Sequence, residues 1–159
     1  ASPTRVVWFG GKGLTGVSDQ QTTIQFVTIA TLGNSEDFGD LPIDTSSSNA
    51  SSNGIRGFVC GGNTPSPGSA SDINTIIIAT KGNSTDYDDL NASPSQLPQI
   101  GTVANSNKAI VAGGTSGGET NVIQSFSMAT TGQSADFGDL TVPRYSPAGV
   151  SDSHGGLLE

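Results

Sequence analysis

The sequence predicts an all-β protein in which one unit of about 50 residues occurs three times. The 159 residues include 22 glycines and 8 prolines but few Leu, Glu and Lys, which excludes a helix bundle or a coiled coil. Apolar residues fall in short runs or alternate with polar ones, and β-branched side chains dominate them, a pattern typical of strands. Sequence landmarks also return in a fixed order, as in a repeat protein.

Three landmarks define the repeat: a glycine pair, an Ala-Thr-x-Gly sequence and an Asp-aromatic-x-Asp-Leu sequence. The glycine pairs lie 51 and 52 residues apart, and the other two landmarks lie 49 and 50 residues apart. They occupy positions 10–11, 61–62 and 113–114, then 30–33, 79–82 and 129–132, and finally 37–41, 86–90 and 136–140. We therefore expect residues 1–159 to form one repeat domain with copies at 5–54, 55–106 and 107–155.

Each copy predicts four short antiparallel strands. The first is an apolar run that ends at the glycine pair, and the second alternates, with Gln25, Asn74 and Gln124 as polar members. These strands are expected at 6–9, 58–60 and 110–112, and at 24–29, 73–78 and 123–128. The third is the acidic landmark, and the fourth is clearest at 143–151, with counterparts at 97–104 and 43–51. Four strands in this length match the size of one propeller blade.

The order of these features resembles a known repeat family. The last copy ends in Leu140-Thr141-Val142-Pro143-Arg144-Tyr145-Ser146-Pro147-Ala148-Gly149. A glycine-closed strand, an aromatic-bearing strand and then Leu-x-x-Pro-Arg-x-x-x-Ala-Gly resemble the kelch blade, which implies a β-propeller. The Tyr and Trp that kelch repeats place after the glycine pair are missing, and Phe38, Tyr87 and Phe137 are the candidates to replace the Trp.

A second resemblance concerns the acidic landmark and its surroundings. The sequence Ala-Thr-x-Gly-[Asn/Gln]-Ser-x-Asp-Phe-Gly-Asp-Leu is similar to repeats in tail-fibre-like proteins of marine bacteriophages. This resemblance implies a viral protein located in the virion, and it says little about chemistry.

Three blades are too few to close a propeller, because closed propellers have about four to eight. An open arc would leave strand edges and sheet faces uncovered, which favours association. The innermost strand at 148–151 has no blade of its own, so we expect it to pair with residues 5–9 of a second chain, which reciprocates. The predicted fold is therefore half of a six-bladed propeller that a homodimer completes by strand sharing.

Two alternatives to this homodimer stay open. A three-blade fragment held open by crystal contacts is one. The other is a longer natural chain that makes the same pairing within itself, and the ends Ala1-Ser2-Pro3 and Leu158-Glu159 are typical of cloning remnants.

Charge and residue counts exclude several classes of function. The net charge is −8 with only six cations, so no dense basic face forms and nucleic acid is not an expected partner. No run of about 18 apolar residues occurs, so no membrane partner is expected. One Cys and one His exclude an intrachain disulfide, a Cys-rich zinc site and any site with several imidazoles.

Aspartates recur at two positions of the acidic landmark. They are Asp37 and Asp40, Asp86 and Asp89, and Asp136 and Asp139. Carboxylates two or three residues apart at a turn are hard oxygen ligands that suit Ca²⁺, so these six are the candidate metal ligands and Ca²⁺ the one candidate cofactor. The favoured alternative is that each Asp fixes its turn by accepting backbone amide hydrogen bonds. Recurrence in every copy favours this structural role, because a catalytic site is usually needed once.

Basic residues recur as well. Arg5, Arg56 and Lys108 each lie six positions before the second glycine of a pair. A ring of these cations is the candidate site for an anionic ligand such as a sulfated or acidic glycan. The favoured alternative is an ion pair between blades with one of the repeated Asp residues, worth about 0–1 kcal/mol when exposed.

Three other features give no catalytic residue. The Gly-x-Gly-x-x-Gly spacing at 11–16 suits a dinucleotide only between a strand and a helix, and no helix is predicted after it. Cys60 lies in an apolar strand and is expected in the core. His154 is expected in a loop, without a nucleophile to serve.

The connections after the glycine pairs are the most promising binding elements. Segments 12–23, 63–72 and 115–121 differ in length and sequence while the flanking strands keep register. Loops that vary on a fixed scaffold commonly carry ligand contacts. We therefore expect a non-catalytic propeller module, structural or receptor-binding, with a carbohydrate as ligand, in a phage appendage. A glycan-acting hydrolase or lyase, and a pure self-assembly scaffold, remain alternatives.

Overall fold

The structure, a computed structural model, describes residues 4–14, 19–65, 71–91, 98–115 and 117–151. Its regular elements in these ranges are eleven strands in three antiparallel sheets, so the all-β prediction is confirmed. No helix in this part of the chain is long and apolar enough to cross a membrane.

Sheet 1 contains three strands in the order β1-β2-β3. They are β1 (Arg5–Phe9), β2 (Gln21–Thr28) and β3 (Glu36–Thr45). β1 and β2 form a hairpin in which Phe9 lies opposite Ile24, so a strand follows the Gly-x-Gly-x-x-Gly segment. Four strands per blade were predicted, and sheet 1 differs because no described residue pairs with the edge of β1 that faces away from β2.

Sheets 2 and 3 contain four strands each, in the orders β4-β5-β6-β7 and β8-β9-β10-β11. Sheet 2 consists of β4 (Asn49–Ser52), β5 (Arg56–Cys60), β6 (Asp72–Ile77) and β7 (Thr85–Asp89). Sheet 3 consists of β8 (Gly101–Ala104), β9 (Lys108–Ala112), β10 (Val122–Ser127) and β11 (Ala135–Asp139). The first strand of each sheet comes from the end of the preceding sequence copy, as the repeat register predicts.

The fourth strand predicted at 143–151 is not a strand in the single chain. Its counterparts β4 and β8 are strands because β5 and β9 follow them and complete their hydrogen bonds. Within the described chain no strand follows residue 151 to pair with it. Residues 143–151 therefore form no strand ladder, and the end of this segment lies beside β8. Ser151 Oγ donates a hydrogen bond to Ala104 O at 2.5 Å.

The path into each inner strand is the same in all three copies. Ser47, Gln99 and Ser146 are the described non-glycine residues with positive φ, at 55°, 60° and 51°. Gln99 N donates to Ser47 O at 2.9 Å, and Ser146 N donates to Gln99 O at 2.6 Å. Left-handed backbone at a non-glycine residue is uncommon and is held by surrounding structure. Residues 146–151 therefore follow the course of 47–52 and 99–104.

The glycine pairs recur for a backbone reason. The first glycine of each pair has a φ of 52°, 58° or 65°, and the second has a φ of 120°, 116° or 109°. Only glycine adopts such angles without steric cost. A Cβ on Gly113 would also lie 2.5 Å from Arg144 O, so the segment that leaves sheet 3 needs a glycine there.

The apolar core consists of two clusters, each shared by successive sheets. The first joins Ile24, Phe26, Phe38 and Leu41 of sheet 1 to Val59, Ile76 and Ile78 of sheet 2. The second joins sheets 2 and 3 and contains Phe58, Cys60, Ile73, Tyr87, Leu90, Ile100, Ala109, Val111, Phe126 and Met128. Edge-on aromatic pairs occur in both, with ring centroids 5.9 Å apart for Phe26 and Phe38 and 5.0 Å apart for Phe58 and Tyr87.

The polar members of the second strands differ in burial. Gln25 of sheet 1 is exposed, whereas Asn74 and Gln124 are 8% and 5% exposed. A neighbouring sheet covers this face in sheets 2 and 3 but not in sheet 1. Gln124 then needs a partner, and its Oε1 accepts a hydrogen bond from Ser134 Oγ at 2.7 Å.

Candidate functional site

The repeated aspartates lie on the outermost strand of each sheet. Asp37 and Asp40 belong to β3, Asp86 and Asp89 to β7, and Asp136 and Asp139 to β11. All six side chains are exposed. Among the described residues no three His, Cys, Asp or Glu side chains come close enough to hold a metal ion.

Several acidic side chains accept hydrogen bonds near the turns. Asp136 Oδ1 accepts from Gly138 N at 3.1 Å, and Asp40 Oδ1 accepts from Thr22 Oγ1 at 3.2 Å. Asp88, which lies within the acidic landmark between Asp86 and Asp89, accepts from Gly132 N of the next sheet at 2.5 Å. These contacts are of the kind expected if the acidic landmark shapes turns and holds neighbouring sheets together.

The three repeated cations begin β1, β5 and β9, each on a different sheet. Arg5 Nη1 donates to Ile78 O of sheet 2 at 2.9 Å, and the guanidinium lies 4.8 Å from the centre of the Phe26 ring. Lys108 Nζ lies 6.0 Å from the centre of the Phe137 ring. Arg56 forms a hydrogen bond with Tyr87 on its own sheet. Arg5 therefore contacts the neighbouring sheet, whereas these contacts of Arg56 and Lys108 lie within their own sheets. Arg5 and Arg56 line different clefts.

An ion pair between sheets is present at a different position from the one predicted. Lys81 Nζ contacts Glu36 Oε2 at 3.0 Å, with side-chain exposures of 49% and 68%. The same ammonium lies 4.8 Å from the centre of the Phe26 ring. Lys81 is the variable residue of the Ala-Thr-x-Gly landmark, and its equivalents are Leu32 and Thr131.

A cleft between sheets 2 and 3 was not predicted from the sequence. Its lining includes Arg56, Thr75, Thr80, Tyr87 and Thr131. Thr75 occupies in β6 the register position that Phe26 occupies in β2, since they face Phe58 and Val7 respectively. Threonine leaves open the space that the Phe ring fills between sheets 1 and 2. The sequence signal that could have predicted this cleft is the replacement of Phe26 by Thr75 at the same repeat position.

Burial changes the acidity of two groups. Burial raises the pKa of the Cys60 thiol to about 12, so the sulfur is a core atom and not a nucleophile, as expected. Burial also raises the pKa of Tyr87, while the nearby Arg56 guanidinium opposes that rise. Tyr87 Oη donates to Ser127 O of sheet 3 at 2.9 Å, which makes the phenol a link between sheets.

A second cleft lies beside the free edge of β1. Its lining is Arg5, Val6, Val7 and Phe9 of sheet 1 and Ala50, Ser51, Ser52, Gly57 and Ile78 of sheet 2. Ser51 Oγ is buried there without a hydrogen-bond partner. The space lies between β1 and β4, where an inner strand of sheet 1 would belong.

The described parts of the loops after the glycine pairs lie at one end of the sheets, because these loops follow β1, β5 and β9 and lead into β2, β6 and β10. The opposite end carries the short turns. Thr64 Oγ1, in the second of these loops, is buried without a hydrogen-bond partner. Positions 15–18, 66–70 and 116 within the predicted binding segments lie outside the described residues, as does His154.

Neither the protein-family models nor the curated proteins compared with this chain match it. The resemblances to kelch blades and to phage tail-fibre repeats therefore stay predictions that rest on the chain's own residues. The structure defines the class: an all-β protein of three successive antiparallel sheets.

Proposed function

We propose that two copies of this chain form one six-bladed, kelch-like propeller ring that acts as a non-catalytic structural or receptor-binding module. Burial of equivalent residues carries the proposal. The aromatic residue of the acidic landmark is 2% exposed as Phe38 and 6% exposed as Tyr87, but 55% exposed as Phe137. A following sheet covers the first two, and no sheet among the described residues covers the third.

The opposite face of sheet 1 supports the same conclusion. Ile78 and Met128 are 3% and 1% exposed, whereas their equivalent Ile29 is 55% exposed. A preceding sheet covers the first two. Within the ranges that the structure describes, sheet 1 therefore has no neighbouring sheet on one side, and sheet 3 has none on the other. A second copy placed with its sheet 1 against this sheet 3 covers both faces at once.

Two copies are the smallest number that gives an ordinary propeller. Closed propellers have about four to eight blades, and two chains supply six sheets. The junction is head to tail, so the same contact forms twice in a ring of two. Each chain then supplies the innermost strand of its partner's sheet 1.

Light scattering tests the assembly, because the two-chain ring has twice the 16.0 kDa mass of the chain. A monomer at concentrations well above micromolar would refute the ring. A mass of three or more chains would refute six blades while leaving head-to-tail contact in place.

The ligand that fits this module best is a carbohydrate. The segments 12–23, 63–72 and 115–121 contain Thr, Ser, Asn, Gln and Gly, whose side chains and backbone groups hydrogen-bond hydroxyl groups well. These loops differ between copies while the sheets that carry them repeat. A phage appendage, where a protein meets a host glycan, is the proposed setting.

Glycan-array binding by the purified chain tests the carbohydrate ligand, and a panel of chromogenic glycosides tests the absence of catalysis. Binding without hydrolysis is the expected result. Hydrolysis of any glycoside would replace this proposal with a glycan-acting enzyme. A blank array with an intact ring would favour a self-assembly scaffold.

A further inference from the structure

The two junctions within the chain share one pattern of backbone hydrogen bonds. Ser84 N donates to Asp40 O at 2.9 Å between sheets 1 and 2, and Ser134 N donates to Asp89 O at 3.2 Å between sheets 2 and 3. In the repeat register the next such pair is Ser35 with Asp139. Both of these residues are exposed in the single chain.

The loop end repeats a second pair. Asn63 N donates to Ser46 O at 2.6 Å, and Thr115 N donates to Pro98 O at 3.1 Å. The next pair in register is Lys12 with Tyr145. The two donors of these next pairs lie next to strands of sheet 1, and their acceptors lie at the end of β11 and in the segment that leaves sheet 3. A head-to-tail junction requires this polarity.

The inner strands give the register of the closing ladder. In sheet 2 Ser51 lies opposite Phe58, and in sheet 3 Val103 lies opposite Ile110. The repeated positive-φ residues align Val150 with Ser51 and Val103. Val7 aligns with Phe58 and Ile110, because each lies four positions before the second glycine of its pair. The pairing that this register assigns is Val150 opposite Val7.

At the junction position of Lys81 and Glu36, the two facing residues are of the same or complementary chemical type in each pair. Lys81 meets Glu36 as an ion pair between sheets 1 and 2. The equivalents between sheets 2 and 3 are Thr131 and Thr85, two hydroxyl side chains. The equivalents at the open ends are Leu32 and Ala135, two apolar side chains, and both are exposed in the single chain. An apolar residue on each open face at this position is what a dry contact between them requires.

A second junction position matches in size. Phe9 reaches within 3.3 Å of the place where a Cβ of Gly57 would lie, so a large residue meets the smallest one. The equivalents between sheets 2 and 3 are Cys60 and Ala109, and those at the open ends are Ala112 and Val6. The larger residue belongs to the preceding sheet in the first two pairs, as Phe9 and Cys60, and to the following sheet in the pair at the open ends, as Val6. In each pair, therefore, a larger side chain meets a smaller one.

We infer that the ring closes in one fixed register, with Val150 of one copy opposite Val7 of the other and Leu32 of one copy against Ala135 of the other. The inference rests on the proposed ring and specifies its contact surface. The occupant of the cleft beside β1 is residues 148–151 of a second copy, whose backbone completes sheet 1 as a four-stranded ladder.

Double-cysteine variants test the register. Val7→Cys with Val150→Cys is expected to give disulfide-linked dimers under mild oxidation, read on a non-reducing gel. Val103→Cys with Ile110→Cys is the matched control, because these residues pair at the same position within one chain. Phe9→Cys with Val150→Cys is shifted by two residues and should link much less. Cys60 is fully buried and does not compete.

Leu32→Cys with Ala135→Cys tests the outer contact with a short bis-maleimide, and the exposure of both residues leaves folding unaffected. Crosslinking of both pairs between chains supports the inference. A dimer by light scattering in which neither pair links would refute this register while leaving the ring. A monomer by light scattering would refute the ring itself.

Discussion

Phe38 and Phe137 occupy the same repeat position, but Phe38 is buried and Phe137 is exposed in the single chain. Replacing each by alanine therefore distinguishes an effect on the folding of one chain from an effect on dimer assembly. Phe38 is 2% exposed and packs edge-on against Phe26. Phe38→Ala should therefore lower the free energy of unfolding by about 3–5 kcal/mol, the usual loss for a buried Phe. Phe38→Leu, with a smaller loss, provides a second variant if the alanine variant does not fold.

Phe137 is 55% exposed in the single chain, so its side chain buries about half of its apolar surface there. Phe137→Ala should lower the free energy of unfolding of the monomer by only about 1 kcal/mol. In the ring the same residue is covered at each of two junctions. A well-buried interface aromatic contributes about 2 kcal/mol, so the dimer Kd should rise by roughly a thousandfold over both junctions.

Urea unfolding followed by the fluorescence of Trp8, the sole tryptophan, measures the first effect, and light scattering over a dilution series measures the second. Trp8 is 52% exposed on the uncovered face of sheet 1, so its emission should also shift to the blue as the dimer forms. An equal loss of stability in both variants at monomer concentrations would show that Phe137 is buried within one chain. A dimer unaffected by Phe137→Ala would contradict the ring.

Three smaller effects follow from single contacts. The pKa of Cys60 is raised from 9.0 to about 12 on folding, so unfolded chains lose this proton first and stability should fall as the pH rises above 9. Cys60→Ala should reduce that loss in urea titrations between about pH 8 and about pH 10.5, a range that brackets the pKa of the unfolded thiol. Glu36→Gln removes an exposed ion pair and should lower stability by under about 1 kcal/mol, an effect that 1 M salt should largely abolish (roughly a 3 Å Debye length). Asn105 Oδ1 accepts hydrogen bonds from Asn107 N and Lys108 N. Asn105→Ala should therefore lower the free energy of unfolding by about 1–3 kcal/mol, measured as a lower thermal midpoint.

Each of these has a matched comparison. Tyr87 also titrates at high pH, because burial raises its pKa, so only the difference between wild type and Cys60→Ala isolates the thiol. Thr85→Ala, at the position equivalent to Glu36, removes no charge and should show no salt dependence. Asn53 makes the same turn between β4 and β5, so Asn53→Ala should cost a similar amount. A much smaller effect of Asn105→Ala than of Asn53→Ala would contradict the equivalence of the two turns.

The repeat predicted the strands wherever apolar residues and register agree. β1, β5 and β9 begin at Arg5, Arg56 and Lys108, just before the apolar runs. The Ser- and Asn-rich β4 followed only from register, since its composition alone is typical of a linker. Residues 143–151 carried the same sequence signal, but a strand needs an adjacent edge, and the described part of the chain does not provide one.

The candidate site was less accessible to sequence reasoning, because it depends on which side chains meet across sheets. The open cleft near Arg56 exists because Thr75 replaces a phenylalanine, and the ion pair joins Lys81 to Glu36 although neither is repeated. Burial of Asn74 and Gln124 also depends on a neighbouring sheet that covers their face. A strand pattern by itself cannot report whether the second face of its sheet is covered.

The first strand of sheets 2 and 3 comes from the sequence copy before it, so the hydrogen-bonded unit is offset from the repeated unit by one strand. Removing one copy at a sequence boundary would therefore cut through a ladder instead of detaching a blade. Adding a whole copy would not cut a ladder, because the added copy supplies its last strand to the next sheet and receives the last strand of the preceding copy. Genes of this design can therefore lengthen by complete copies without creating a new exposed edge, which makes the gain of a copy easier in evolution than a change within any single sheet.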